Sequence, residues 1–199
     1  VKKSVVITVF LFLMFGFGSV FADSVGLDKQ TKKSLDIAIF QVLEAFKTQD
    51  QKAINTLVNQ EIGLYIVYRN GVMDQFIHVD SINFKSPVPK YLPYDTVEKK
   101  YYSLRYKKAP IFSCETEKWS DWGLVVDVDN RYNVLTDIAT VQKEYNEINY
   151  TTEEIARYKK IDTQSLKVVA TADSFVFYMI FIDGKWYVSI FDRVEYCSA

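Results

Sequence analysis

The sequence holds one histidine, His78, in the string QFIHVDSI. Side chains alternate along an extended segment, so His78 shares a face with Phe76, Asp80 and Ile82. Asp80 is then placed to orient or charge-stabilise the imidazole, as a general base requires, and Tyr68 is a further candidate acid or base. A strand histidine bonded locally is the simpler reading, because a chain of this size carries some His and Asp at such spacing by chance. A single imidazole excludes a His-rich metal site and any mechanism that needs two. No Ser or Cys stands in a nucleophile elbow, no glycine-rich phosphate loop occurs, and no Cys-x-x-Cys is present. The acidic string DVDN at 127–130 lacks the glycine and the distal glutamate of a calcium loop, and reads as a turn at a strand end. Neither a metal nor a cofactor is implied. No residue is assigned as catalytic, and Tyr68, His78, Asp80 and Asp192 stand as candidate polar groups of a binding pocket.

The compartment is better specified than the chemistry. Residues 1–22 read VKKSVVITVFLFLMFGFGSVFA, with a basic start at Lys2 and Lys3, an apolar run, and small residues before a cleavage point after Ala22. This is the pattern of an export signal, and its apolar run is shorter than the roughly 20 residues of a membrane span. Val1 suggests an alternative bacterial start codon, so the expected destination is the bacterial periplasm or exterior, with no stable membrane anchor once the signal is cleaved. Taking 22 residues from 199 leaves 177, enough for one domain over 23–199. Without Lys2 and Lys3 the 25 acidic residues outweigh the basic ones by about three, which gives no electrostatic footprint for nucleic acid. An aromatic content of 16%, with only 7 Gly, argues against disorder. Cys114 and Cys197 are the only cysteines, and in an oxidising compartment they are expected to pair rather than remain two free thiols.

The elements that must position these residues follow from periodicity. Leu35, Ile39, Val42, Leu43 and Phe46 form one face of an amphipathic helix, and Asp50 caps a short second helix that turns Ile54, Leu57 and Val58 inward. EIGLYIVYR alternates as a strand, Asn70-Gly71 signals a turn, and DQFIHVDSINF is the return strand. Asp95 and Glu98 look like a capping box that opens a third helix over KKYYSLRYKK. GLVVDVD reads as a strand. From Arg131 to Ile161 the pattern is helical, with Val134, Ile138, Val141 and Tyr145 on one side and a second capping box at Thr151 and Glu154. Tyr-rich stretches such as KYLPYD read as packing tyrosines before sugar or peptide contacts.

Three strands close the chain, in LKVVAT, SFVFYMIFI and KWYVSIFDRVEY, the last two joined at Asp183-Gly184. Counting from that turn pairs Phe181 with Trp186, Met179 with Val188 and Phe177 with Ile190, one apolar face on which the first helix packs. The opposite face carries Ile182, Ile180, Tyr178, Tyr187, Ser189 and Phe191. It is mixed enough to lie open or to be covered by a partner chain, including a second copy in a homodimer. The fold class is therefore α+β, with N-terminal helices on a curved, mainly antiparallel sheet and a helical insertion before the last three strands. Any pocket is expected at the end of the sheet near Asp192, with Tyr68, His78 or Asp80 adding polar groups.

AFKTQDQKAINTLVNQEIGLYI resembles the opening of the nuclear-transport-factor-2-like superfamily, and DGKWYVSIFD resembles its closing hairpin. FSCETEKWSDWGL and the ending DRVEYCSA look like a group of small exported bacterial proteins within it. The resemblance implies a cone-shaped α+β domain with a pocket between sheet and helices. The superfamily holds isomerases, dehydratases, binding modules and assembly domains, so it does not supply the function. The expected function is an exported, non-catalytic module that binds a small ligand or a protein partner. The alternative is a pocket enzyme using His78 with Asp80 or Tyr68.

Overall fold

The computed structural model describes residues 26–127, 132–145, 147–194 and 197. The export signal and its cleavage point lie outside these residues, as do Asp129 and Asn130 of the acidic string. Helix α1 (Lys29–Thr48) is started by the Asp28 carboxylate, which accepts from the Gln30 and Thr31 amides, and ends at Gln49 in a left-handed conformation. All five residues of its expected apolar face are buried. Asp50 caps α2 (Gln51–Asn55), accepting from Ala53 N at 2.9 Å, and Ile54, Leu57 and Val58 are buried.

Strands β1 (Leu64–Asn70) and β2 (Met73–Val79) form a hairpin across Gly71 and Val72, and the positive φ of Gly71 is the conformation that such a tight loop requires. A Pro-rich connection leads to β3 (Leu104–Tyr106), and a small hairpin, β4 (Phe112–Ser113) and β5 (Lys118–Trp119), precedes β6 (Leu124–Asp127). Helices α3 (Val134–Glu144) and α4 (Thr152–Gln164) then separate β6 from β7 (Ser165–Ala170), β8 (Phe175–Ile182) and β9 (Lys185–Asp192). The main sheet runs β2-β1-β9-β8-β7-β6-β3. Its pairings are antiparallel except for β1 with β9 and β3 with β6. The fold is thus α+β with a mainly antiparallel sheet.

Helices cover both faces of the sheet. Helix α1 packs on one, where Phe46 meets Phe175 at 4.6 Å and Phe191 at 4.8 Å between ring centroids, and Trp186 Nε1 donates to Ser34 Oγ at 3.1 Å. Helices α3 and α4 pack on the other, over Tyr65, Val67, Val169, Val176, Tyr178 and Ile190. The face expected to lie open or to bind another chain is therefore largely occupied from within. Tyr178, Ile180 and Ser189 are buried there, and only Tyr187 and Ile182 remain half-buried toward the hairpin tip.

Three local expectations are corrected. The Asp95/Glu98 capping box opens no helix. The amides of Glu98 and Lys99 donate instead to Asp173 in the turn between β7 and β8, at 3.0 and 3.2 Å, and residues 104–106 pair with β6. A carboxylate from a distant turn takes the donors that a helical first turn would have offered to its own cap. In α3 the buried residues are Leu135, Ile138, Ala139 and Gln142, whereas Tyr145 is 69% exposed. That helix has no side-chain cap of its own, and buried Asp162 of α4 accepts from Leu135 N and Thr136 N, which fixes its rotation from outside. The capping box at Thr151 and Glu154 is present as read.

The third correction concerns the closing hairpin. Asp183 and Gly184 both take positive φ, and Phe181–Trp186 and Met179–Val188 pair as counted. Beyond them the register shifts: Tyr178 faces Ile190 and Phe177 faces Phe191, which leaves Ser189 as an extra residue on β9. A β-bulge of this kind reverses every later side chain on its strand. Phe191 enters the α1 core, whereas Ile190 joins the α3/α4 side. Phe181, expected in the core, is 41% exposed at the hairpin tip.

Candidate functional site

The bulge also decides where Asp192 points. With regular pairing it would follow Trp186 and Val188 into the aromatic core under α1. With Ser189 inserted, Asp192 lies opposite Val176 of β8 and Val67 of β1, on the α3/α4 side. Ser189 is itself buried and satisfied: its hydroxyl lies 2.8 Å from that of Ser165, which in turn donates to the Ile161 carbonyl.

One row of the sheet on this side reads Asp127, Lys167, Tyr178, Ile190 and Tyr65, taken from β6, β7, β8, β9 and β1 by their pairing. Lys167 and Tyr178 of this row border a cleft of about 280 Å³ near the start of α3, whose wall also includes Asp192, Tyr132, Asp74 and Asp137. The Lys167 ammonium stands over the rings of Tyr132 and Tyr178, at 4.7 and 5.7 Å from their centroids. Among the described residues it has no hydrogen-bond partner and no carboxylate within ion-pair reach. Asp127, wholly buried behind it, accepts from Ala109 N at 2.8 Å and from the Tyr132 hydroxyl at 2.7 Å. Asp192 accepts from Val194 N at 3.2 Å, and Asp74 is paired with Arg69.

Burial moves the two central groups toward their neutral forms. It pushes the Lys167 amine below its ordinary pKa, against the opposing charges of Asp192 and Asp127. It raises the Asp192 carboxyl, against the pull of Lys167. The site can therefore offer an amine and a carboxyl, both partly desolvated, to a small molecule held between two tyrosines.

Only Asp192 of the four candidate residues reaches this cleft. His78, on the edge strand β2, is exposed, and its Nε2 lies 2.9 Å from the Ile62 carbonyl. Its ring occupies the space beside Gly63, where a side-chain Cβ would meet Nε2 at 2.1 Å. Asp80 lies exposed beyond the end of β2, and no hydrogen bond or ion pair joins it to His78 among the described residues. Tyr68 is buried on the opposite side of β1 from Val67, donating to Gln75 Oε1 at 3.1 Å. Tyr68, His78 and Asp80 thus do not line the cleft that Asp192 borders.

The sequence did carry a signal for Lys167, a lone charge inside the apolar run LKVVAT, where a strand buried on both faces rarely tolerates one. Among the described residues no group of three or more His, Cys, Asp or Glu is gathered as a metal site would require, and no helix is long and apolar enough to cross a membrane. The chain matches no family model, no curated protein and no solved structure.

Proposed function

We propose that this protein is an exported binding module of the nuclear-transport-factor-2-like superfamily, a single domain freed by cleavage after Ala22 into the periplasm or exterior of a bacterium. Its ligand is a small molecule that presents a carbonyl or carboxylate oxygen to Lys167. The observation that carries this reading is the Lys167 ammonium, without an ion-pair partner among the described residues, on the wall of an aromatic cleft beside Asp192. A half-buried charge left without a partner loses part of its hydration, and a ligand oxygen would relieve that cost. The space between α1 and the sheet, where the superfamily resemblance implies a pocket, is filled by Phe46, Phe175, Phe177 and Phe191. Export is supported by the signal-like start and by the Cys114–Cys197 disulfide, which suits an oxidising compartment. An enzyme built on His78 and Asp80 is disfavoured by their separation.

The test is thermal unfolding of the protein with acetate, succinate or glutamate present. At least one should raise the Tm of the parent protein and leave that of Lys167→Met unchanged. An equal response from both proteins, or no response from either, would overturn the reading.

A further inference from the structure

Lys167 has the setting of a reactive amine rather than of a structural ion pair. A structural lysine places its ammonium against a carboxylate, yet Asp127, directly opposite on β6, turns one oxygen to Ala109 N and the Tyr132 hydroxyl. The groups that face Lys167 come from every surrounding element: Asp127 of β6, Tyr132 ahead of α3, Asp137 of α3, Tyr178 of β8, Asp192 of β9 and Asp74 of β2. Two of them present ring faces to the nitrogen. Among the described residues Asp192 and Asp137 on the cleft wall have no cationic partner within 4 Å, whereas Asp74 is held by Arg69, and of the two it is Asp192 whose charge acts on Lys167.

We propose that Lys167 condenses with the aldehyde or ketone group of a small molecule seated in this cleft, with Asp192 carrying the proton. The proposal rests on the binding reading above and names the ligand class. In the first step the neutral Nζ lone pair attacks the carbonyl carbon. A C–N bond forms, the C=O π pair moves to oxygen, and the proton lost by nitrogen ends on that oxygen, giving a carbinolamine. In the second step the nitrogen lone pair expels the hydroxyl, which leaves as water on taking the proton of the Asp192 carboxylic acid. The products are an iminium and the Asp192 carboxylate, and return of the iminium proton to Asp192 leaves a neutral imine. Amine plus carbonyl gives imine plus water, with no oxidant or reductant consumed.

The environment favours both reacting forms, because burial lowers the affinity of Lys167 for its proton and raises that of Asp192. The ring faces of Tyr132 and Tyr178 supply an apolar wall beside the nitrogen.

The test is reductive trapping of the folded protein at pH 7 with limiting glyceraldehyde and sodium cyanoborohydride, followed by peptide mapping. A lowered pKa raises an amine's neutral fraction at pH 7, so Lys167 should be labelled faster than exposed Lys52 and Lys159. The preference should vanish in urea. Asp192→Asn should slow labelling of Lys167 severalfold and leave Lys52 and Lys159 unchanged. Labelling of Lys167 no faster than at those two lysines, or a preference that survives in urea, would overturn the proposal. If Lys167→Met abolishes stabilisation by carboxylates while Lys167 resists trapping, the binding reading stands and the covalent one falls.

Discussion

Individual side chains here serve the fold or the cleft, and their environments separate the two roles. Ile190 has no exposed surface and lies in the α3/α4 core, so Ile190→Ala should cost about 2 to 5 kcal/mol in urea unfolding. His78→Ala removes one exposed hydrogen bond and should cost about 1 kcal/mol or less in the same measurement. Asp192 gives a pH signature instead. Its carboxyl is raised in the folded state, so the folded protein binds that proton more tightly than the unfolded chain, whose value is about 3.9. Its contribution to stability is present at low pH and is lost as pH rises from about 4 through the folded value. Asparagine cannot titrate. The stability of the parent protein relative to Asp192→Asn should therefore fall with rising pH across that window, whereas a difference that stays flat from pH 4 to pH 8 would contradict the assignment. The lowered Lys167 acts in the opposite sense, its contribution to stability rising with pH up to about pH 10.4.

At the level of elements, β9 is the part on which both core and cleft depend. Its first half follows from the Asp183-Gly184 turn, and its second half follows from Ser189. Deleting Ser189 would close the bulge while leaving Ile190 opposite Tyr178, Phe191 opposite Phe177 and Asp192 opposite Val176, each on its present face. The deletion should therefore keep the cooperative transition seen by near-UV circular dichroism and lose about 1 kcal/mol with the hydroxyl contact to Ser165. Ser189→Ala keeps the bulge and should lose only about 1 kcal/mol. Helix α3 shows the same dependence on remote partners, since its first amides are capped by Asp162 from the next helix.

Across the whole molecule, the disulfide ties the end of the chain to the β4–β5 hairpin. Cys114 and Cys197 are 83 residues apart in sequence and 5.5 Å apart between Cα atoms. Closing a loop of that length is worth about 4 to 5 kcal/mol in the chain-entropy account. Urea unfolding with and without reductant should differ by about that much, and Cys114→Ser with Cys197→Ser should match the reduced protein. Arg193, just past β9, works beside this tie. Its guanidinium donates to the carbonyls of Val88, Leu92 and Pro93 and stacks on Tyr94, which fastens the Pro-rich connection to the end of the sheet.

The sequence by itself determined whatever depends on local pattern or on elimination. The apolar face of α1, the Asp50 cap, the Thr151 capping box, the Asp183-Gly184 turn, the α+β class and the pairing of the only two cysteines were all legible. Their causes lie within one or two turns of chain or, for the disulfide, in the lack of any other partner. The tertiary structure decided the rest. Asp173 suppressed a helix whose local signals were sound, and Asp162 set the rotation of α3. A single extra residue at Ser189 moved Asp192 from the side of Trp186 to the side of Lys167. A bulge leaves no mark in a strand that alternates apolar residues on both faces, because either register buries a plausible set of side chains. Only the packing of α1 against one face and of α3 and α4 against the other selects between them, and the cleft at Lys167 exists because of that selection.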